Sequence, residues 1–146
     1  MRGPYRRRLV QGPPRINQFK PSGIPARSIQ SIILNIDEYE GIRLADYQGL
    51  DHTTAAGQMG ISRPTFSRLI EKARSKVAQA LIDGKMLTIE GGNFDFTHQL
   101  YQCEDCGDTI EQPIEQALDE CPDCGSKNVN DFTSHHGHHG RARHHS

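Results

Sequence analysis

Four cysteines in the last third of the 146-residue sequence are spaced for metal chemistry. Cys103 and Cys106 form one C-x2-C pair, Cys121 and Cys124 the other, with 14 residues between the pairs. A two-residue gap lets both sulfurs of a pair turn towards one ion. Gly107 and Gly125, which follow the pairs, permit the tight turn and leave backbone N–H groups near the thiolates. Two such pairs complete a tetrahedral sulfur site with no open position, the signature of structural zinc. A single-iron site, an iron–sulfur cluster and reversible disulfides are the other uses of these thiols. One structural zinc ion on Cys103, Cys106, Cys121 and Cys124 is the expectation, supplying on the order of 10 kcal/mol of folding free energy.

A second chemistry-bearing stretch is "AAGQMGISRPTFSRLIEKARSKV", residues 55–77. A turn at Gly60, Ile61 and Ser62 separates two helical patterns, and the second pattern carries cations and hydroxyls. Two helices joined by so short a glycine-containing turn predict a helix-turn-helix unit. In that motif Ser62, Arg63, Thr65, Ser67 and Arg68 stand at the end that enters the major groove. Arg can take guanine bidentately, and Ser and Thr can reach base edges or phosphates. Lys72, Arg74 and Lys76 lie further along and suit phosphate contacts, which position a protein without reading sequence. Double-stranded DNA is the partner expected. RNA is the poorer fit, because its specific recognition uses exposed aromatics for stacking and the chain has no Trp.

The elements that must hold these residues are mostly helical. A first helix is expected from Asp37, where Asp37 and Glu40 have capping-box spacing, with Tyr39, Ile42 and Ala45 inward and Gly49 as its stop. A second runs from about His52 to Met59, with His52 on the surface. The third begins after Ser62, a good N-cap. Its apolar stripe is Phe66, Leu69, Ile70, Ala73, Val77, Ala80 and Leu81. "SIQSIILNI" (28–36) reads as a short strand, and "KMLTIEGGNFDF" (85–96) as a hairpin around Gly91-Gly92-Asn93. Five prolines and three glycines in residues 1–27 predict an extended arm.

The segment "LNIDEYEGIRLADYQGLDHTTAAGQMGISRPTFSRLIEKARSKVAQALIDGK", preceded by "FKPSGIP" and followed by "TIEGG", resembles a family of small prokaryotic predicted DNA-binding proteins, domain of unknown function one-three-four. The resemblance covers residues 20–92. It implies a helix-turn-helix similar to region four of bacterial sigma factors and a transcription-related role, with Ser62, Arg63, Thr65, Ser67 and Arg68 on the reading helix. The chain departs from that pattern at Gly41 and Gly57, where better helix formers are expected. The cysteine segment resembles zinc ribbons.

Charge is polarised along the chain. Residues 1–36 hold seven cations and no acid, whereas residues 91–146 hold ten acids against Lys127, Arg141 and Arg143. A basic N-terminal arm for nucleic acid and an acidic C-terminal part follow from this. The acidic part disfavours DNA and suits the transcription machinery or a second copy of the chain. No apolar run approaches the ~18 residues that span a bilayer, and the Arg-rich N-terminus lacks the apolar segment of a secretory signal. A cytoplasmic protein without a membrane partner is therefore expected. The tail residues His135, His136, His138, His139, His144 and His145 could bind nickel or zinc loosely. No phosphate loop, dinucleotide fingerprint or nucleophile elbow is present, so an enzyme is not expected.

The expected fold is mainly α: a three-helix, helix-turn-helix domain followed by a small β zinc ribbon, with disordered termini. The expected division is a basic arm (1–27), a DNA-binding domain (28–92), a metal-binding domain (93–132) and a His-rich tail (133–146). The expected function is a sequence-specific DNA-binding transcriptional regulator. The alternative is a metal-responsive adaptor acting through the ribbon and the tail.

Overall fold

The computed structural model describes residues 7–131. The His-rich tail and residues 1–6, with the expectations placed on them, lie outside the described residues. The chain divides into two compact units. Arg7, Arg8 and Pro14–Asn93 belong to the first, and Leu9–Pro13 with residues 94–131 to the second.

In the first unit, strand β3 (Ser31–Leu34) leads into α1 (Ile36–Ile42), a π-helical segment (Arg43–Tyr47), α2 (His52–Met59) and α3 (Arg63–Asp83), after which β4 (Met86–Ile89) returns. Strand β4 lies parallel to β3, with Ile32 opposite Leu87 and Leu34 opposite Ile89. A parallel pair needs a long crossover, and here the whole helical set is that crossover. Strand β2 (Gln18–Phe19) adds antiparallel to the other side of β4.

The helices close over Leu44, Ala55, Ala56, Met59, Phe66, Leu69 and Ile70, with Ile42, Ala45, Leu50 and Ile61 packed against them. Each helix boundary has a chemical cause. The Asp51 carboxylate accepts the Thr54 N–H at 3.2 Å and starts α2. Gly60, at φ 69°, ends it, and the Ile61 N–H returns to the Ala56 carbonyl at 3.0 Å. Ser62 Oγ then accepts the Thr65 N–H at 3.3 Å, with Pro64 in the first turn of α3.

The second unit is all β. Its central strand β6 (His98–Cys103) pairs antiparallel with β7 (Thr109–Pro113) on one side and β8 (Val129–Asp131) on the other. Strand β5 (Phe94–Phe96) forms a two-stranded sheet with β1 (Arg8–Val10), of which Leu9 and Val10 lie in this unit. Val10, Phe94, Phe96 and Leu100 are buried. Buried Gln99 is satisfied by the Ile114 carbonyl at 2.8 Å and by the Tyr101 hydroxyl, which donates to its Oε1 at 3.0 Å.

Several expectations are corrected. The fold is mixed α and β, with three α-helices and eight strands in three small sheets among the described residues, so the mainly α assignment fails. The segment before residue 28 carries β1 and β2, strands of two or three residues that no hydrophobic period can reveal. Strands β4 and β5 belong to different sheets and do not form a hairpin. Gly91 and Gly92 instead bring the chain over the start of α1, where the Gly91 carbonyl accepts the Ile36 N–H at 2.9 Å. Helix α1 starts one residue earlier than expected and its cap is Asn35 instead of Asp37, with Glu38 Oε1 accepting the Asn35 N–H at 2.9 Å. Leu44 is fully buried, because the wider turn of the π segment changes the helical phase. The stripe of α3 ends at Ala80, and Leu81 is 76% exposed.

Candidate nucleic-acid interface and metal centre

In the first unit, the eight residues singled out on α3 and its cap fall into three groups by what they touch. Ser62 and Thr65 are bound to each other. Besides capping the helix, the Ser62 hydroxyl donates to Thr65 Oγ1 at 2.8 Å. Ser67 faces α2, its hydroxyl 2.9 Å from Nδ1 of His52. The His52 ring meets Phe66 edge-on, with centroids 5.2 Å apart. No spacing rule announces that contact, and the surface position expected for His52 is half-buried.

Arg74 and Lys76 are engaged within the chain. Arg74 grips Asp46 through two nitrogens, at 3.1 and 2.7 Å. Lys76 Nζ lies 2.6 Å from the buried Glu38 carboxylate. Arg63, Arg68 and Lys72 form the third group. All three are exposed, and among the described residues no ion pair takes them.

Arg68 and Lys72, with Thr65 and Leu69, line an open cleft of about 430 Å³ whose other wall is the start of α1. That wall supplies Asn35, Asp37 and Glu38, joined by Arg8. Sequence reasoning left these four out of the site, since nothing in their spacing places them beside α3. Asp37 is 3% exposed. Burial raises its carboxyl pKa above the ordinary value, and the hydrogen bond from Arg8 opposes that rise.

In the second unit, the four cysteines are brought together as the spacing predicts. Their sulfurs all lie within 4.8 Å of one another. The Cys103–Cys124 and Cys106–Cys121 sulfur distances are each 3.6 Å, too long for a disulfide at about 2.05 Å. Ligands about 2.3 Å from a tetrahedral zinc would put sulfurs about 3.8 Å apart, so the cluster has the size of such a site. It could hold a metal ion.

The two halves are built alike. The Gly107 N–H donates to the Cys103 carbonyl at 3.0 Å and the Gly125 N–H to the Cys121 carbonyl at 2.9 Å, with both glycines at positive φ. Backbone N–H groups do reach sulfur: that of Cys106 lies 3.5 Å from the Cys103 sulfur and that of Asp123 3.4 Å from that of Cys121. Asp105 ties the knuckles together by accepting from Asn128 at 3.2 Å and from the Ser126 hydroxyl. The Cys106 N–H holds the Cys103 thiol down to about 7. Desolvation, with the Cys121 and Cys103 sulfurs beside it, pushes Cys106 up. Four thiolates so close repel, and a bound dication removes that obstacle.

Comparison with known proteins gives a family. The model described as "Protein of unknown function DUF134" matches residues 1–97. A UPF0251 protein of Chloroherpeton thalassium is 48% identical over 129 residues, covering 88% of this chain and 85% of the relative. A UPF0251 protein of Desulforudis audaxviator is 41% identical, covering 86% and 83%. One from Methanothermobacter thermautotrophicus is 39% identical, covering 87% and 66%. No solved structure matches. No helix among the described residues is long and apolar enough to cross a membrane.

Proposed function

We propose a function for a chain that belongs to the DUF134 family of proteins of unknown function: it binds double-stranded DNA through α3 and regulates transcription. The observation that carries this reading is the pair Arg63 and Arg68. Both stand exposed on the first two turns of α3, directly after the Gly60 turn, and no acid among the described residues pairs with them. An α2–turn–α3 unit of this kind serves as a helix-turn-helix, with the second helix in the major groove. Ser67, held by His52, and the Ser62–Thr65 pair supply hydroxyls beside the arginines. The role is binding, not catalysis, and it belongs in the cytoplasm with the DNA.

The four-cysteine cluster takes one structural zinc in a ribbon-like unit, an assignment supported by its closed all-sulfur donor set. The acidic ribbon suits contact with the transcription machinery or with another copy. That same cluster favours a second reading, a metal-responsive adaptor that docks on protein.

Equilibrium binding to duplexes selected from a random pool, measured across a salt series, separates the two. A groove binder loses affinity steeply with salt through counterion release. Arg63→Ala should cost ~1–3 kcal/mol on the selected site and much less on scrambled DNA. Zinc-loaded protein that ignores duplexes at low salt would overturn the DNA reading and favour the adaptor.

A further inference from the structure

The cleft beside α3 carries an unbalanced charge. Two acids line it, and both are already paired: Asp37 with Arg8 at 2.7 Å and Glu38 with Lys76 at 2.6 Å. Those carboxylate side chains are 5% and 3% exposed, so their charge is spent within the fold. Arg68 and Lys72 remain. They sit four residues apart on one helix, a spacing at which like charges repel, and no acid among the described residues offsets them. Thr65 lines the same cleft. Its Oγ1 accepts from Ser62, which leaves its own hydroxyl hydrogen to donate.

A guanidinium-bearing, an ammonium-bearing and a hydroxyl-bearing side chain lining one open cleft suit a tetrahedral oxyanion. We infer that this cleft is a phosphate site, in which Arg68, Lys72 and Thr65 hold one phosphate group and Arg68 grips phosphate rather than reading bases. The phosphate comes from the duplex backbone or from a free phosphate-bearing molecule that would compete with DNA. The first source rests on the DNA-binding reading, whereas the second does not.

The test uses the full, zinc-loaded chain and the double variant Arg68→Gln/Lys72→Gln. Both side chains are exposed, so the fold should be retained, as an unchanged melting temperature would verify. Inorganic phosphate is titrated at constant ionic strength while backbone amide resonances are followed. Saturable shifts at Thr65, Arg68 and Lys72 that vanish in the variant support the site. Shifts that never saturate, or that persist in the variant, overturn it. Duplex binding is then compared on a selected and a scrambled sequence. Backbone contact predicts an equal fold-loss on both and a salt slope shallower by about one. A loss confined to the selected sequence overturns the assignment and returns Arg68 to base reading. Saturable phosphate binding with no duplex binding by either protein supports the free-phosphate source and sinks the DNA reading alone. Duplex binding untouched by the double variant, with no phosphate shifts, sinks the cleft and leaves the DNA reading standing.

Discussion

The Arg8 guanidinium meets the Asp37 carboxylate at 2.7 Å, across 29 residues of sequence. The pair is asymmetric. Asp37's side chain is 5% exposed, while that of Arg8 is 28% exposed and can be rehydrated. Arg8→Met therefore strands a buried carboxylate and should destabilise the fold by ~1–3 kcal/mol at pH 7. Asp37→Asn frees only a cation that water can reach and should cost far less. The pH dependence has a definite sign. Burial raises the Asp37 pKa, so the folded chain holds that proton more tightly than the unfolded chain. Its contribution is full below the unfolded value and is lost as pH rises through the folded one. Without Arg8 that rise is larger. Urea midpoints of Arg8→Met should fall furthest below the parent near pH 7 and approach it near pH 4.

Two glycines predict opposite outcomes. Gly57 lies inside α2, and an added Cβ would meet nothing within 4 Å. Gly57→Ala should stabilise by ~0.5–1 kcal/mol, through helix propensity and a less free unfolded chain. Gly92 has φ 102°, and a Cβ there would lie 2.7 Å from Asp37 Oδ1 and 2.9 Å from Asn35 Cβ. Gly92→Ala should lower the melting temperature clearly, combining backbone strain with a clash at the start of α1. Thermal melts of the two variants against the parent check both signs.

What the sequence revealed tracks how local each signal is. Helix α3 and its capped turn were legible because Ser62, Pro64 and the stripe from Phe66 to Ala80 all lie within one stretch. The cysteine cluster was legible because C-x2-C spacing encodes sulfur geometry directly. The strands were legible only in part: residues 28–36 and 85–96 do contain β3, β4 and β5, but their partners and the short β1 and β2 were not. Residues Gln18–Phe19 become β2 only because β4, some seventy residues on, offers an edge, and two residues carry no period. The cleft was hidden for the same reason: Arg8, Asn35, Asp37 and Glu38 reach Arg68 and Lys72 only through the packing of α1 on α3. Gly41 faces α3 as well: a Cβ there would meet Leu69 Cδ2 at 3.4 Å, an ordinary packing contact that only the tertiary structure reveals.

The metal centre makes a stoichiometric prediction. After loosely held ions are removed, mass spectrometry under native conditions should find close to one zinc per chain. Cys121→Ser should abolish retention of that ion. Chelation should erase the circular-dichroism signal of the second unit, since the ion supplies on the order of 10 kcal/mol in segments of this size. Zinc should also leave on acidification, because its ligands must be deprotonated. A metal-free, fully oxidised chain whose amides in β6–β8 remain protected from exchange would refute the assignment.

Arg74 and Lys76, both expected at DNA phosphates, should behave as structural cations instead, and differently from each other. Arg74 and Asp46 are 52% and 40% exposed, so Arg74→Ala should change stability by only ~0–1 kcal/mol. Lys76 holds Glu38, whose side chain is 3% exposed and whose Oε1 also accepts the Asn35 N–H. Lys76→Met leaves that carboxylate buried with one backbone donor and should cost ~1–3 kcal/mol. Neither substitution removes a cation that is free to meet DNA. For folded protein, duplex affinity at moderate salt should therefore fall less in either variant than in Lys72→Ala. Titration calorimetry on duplexes, paired with urea melts of the same samples, measures both quantities. An affinity loss for Arg74→Ala equal to that for Lys72→Ala would mean that Arg74 releases Asp46 to grip a phosphate.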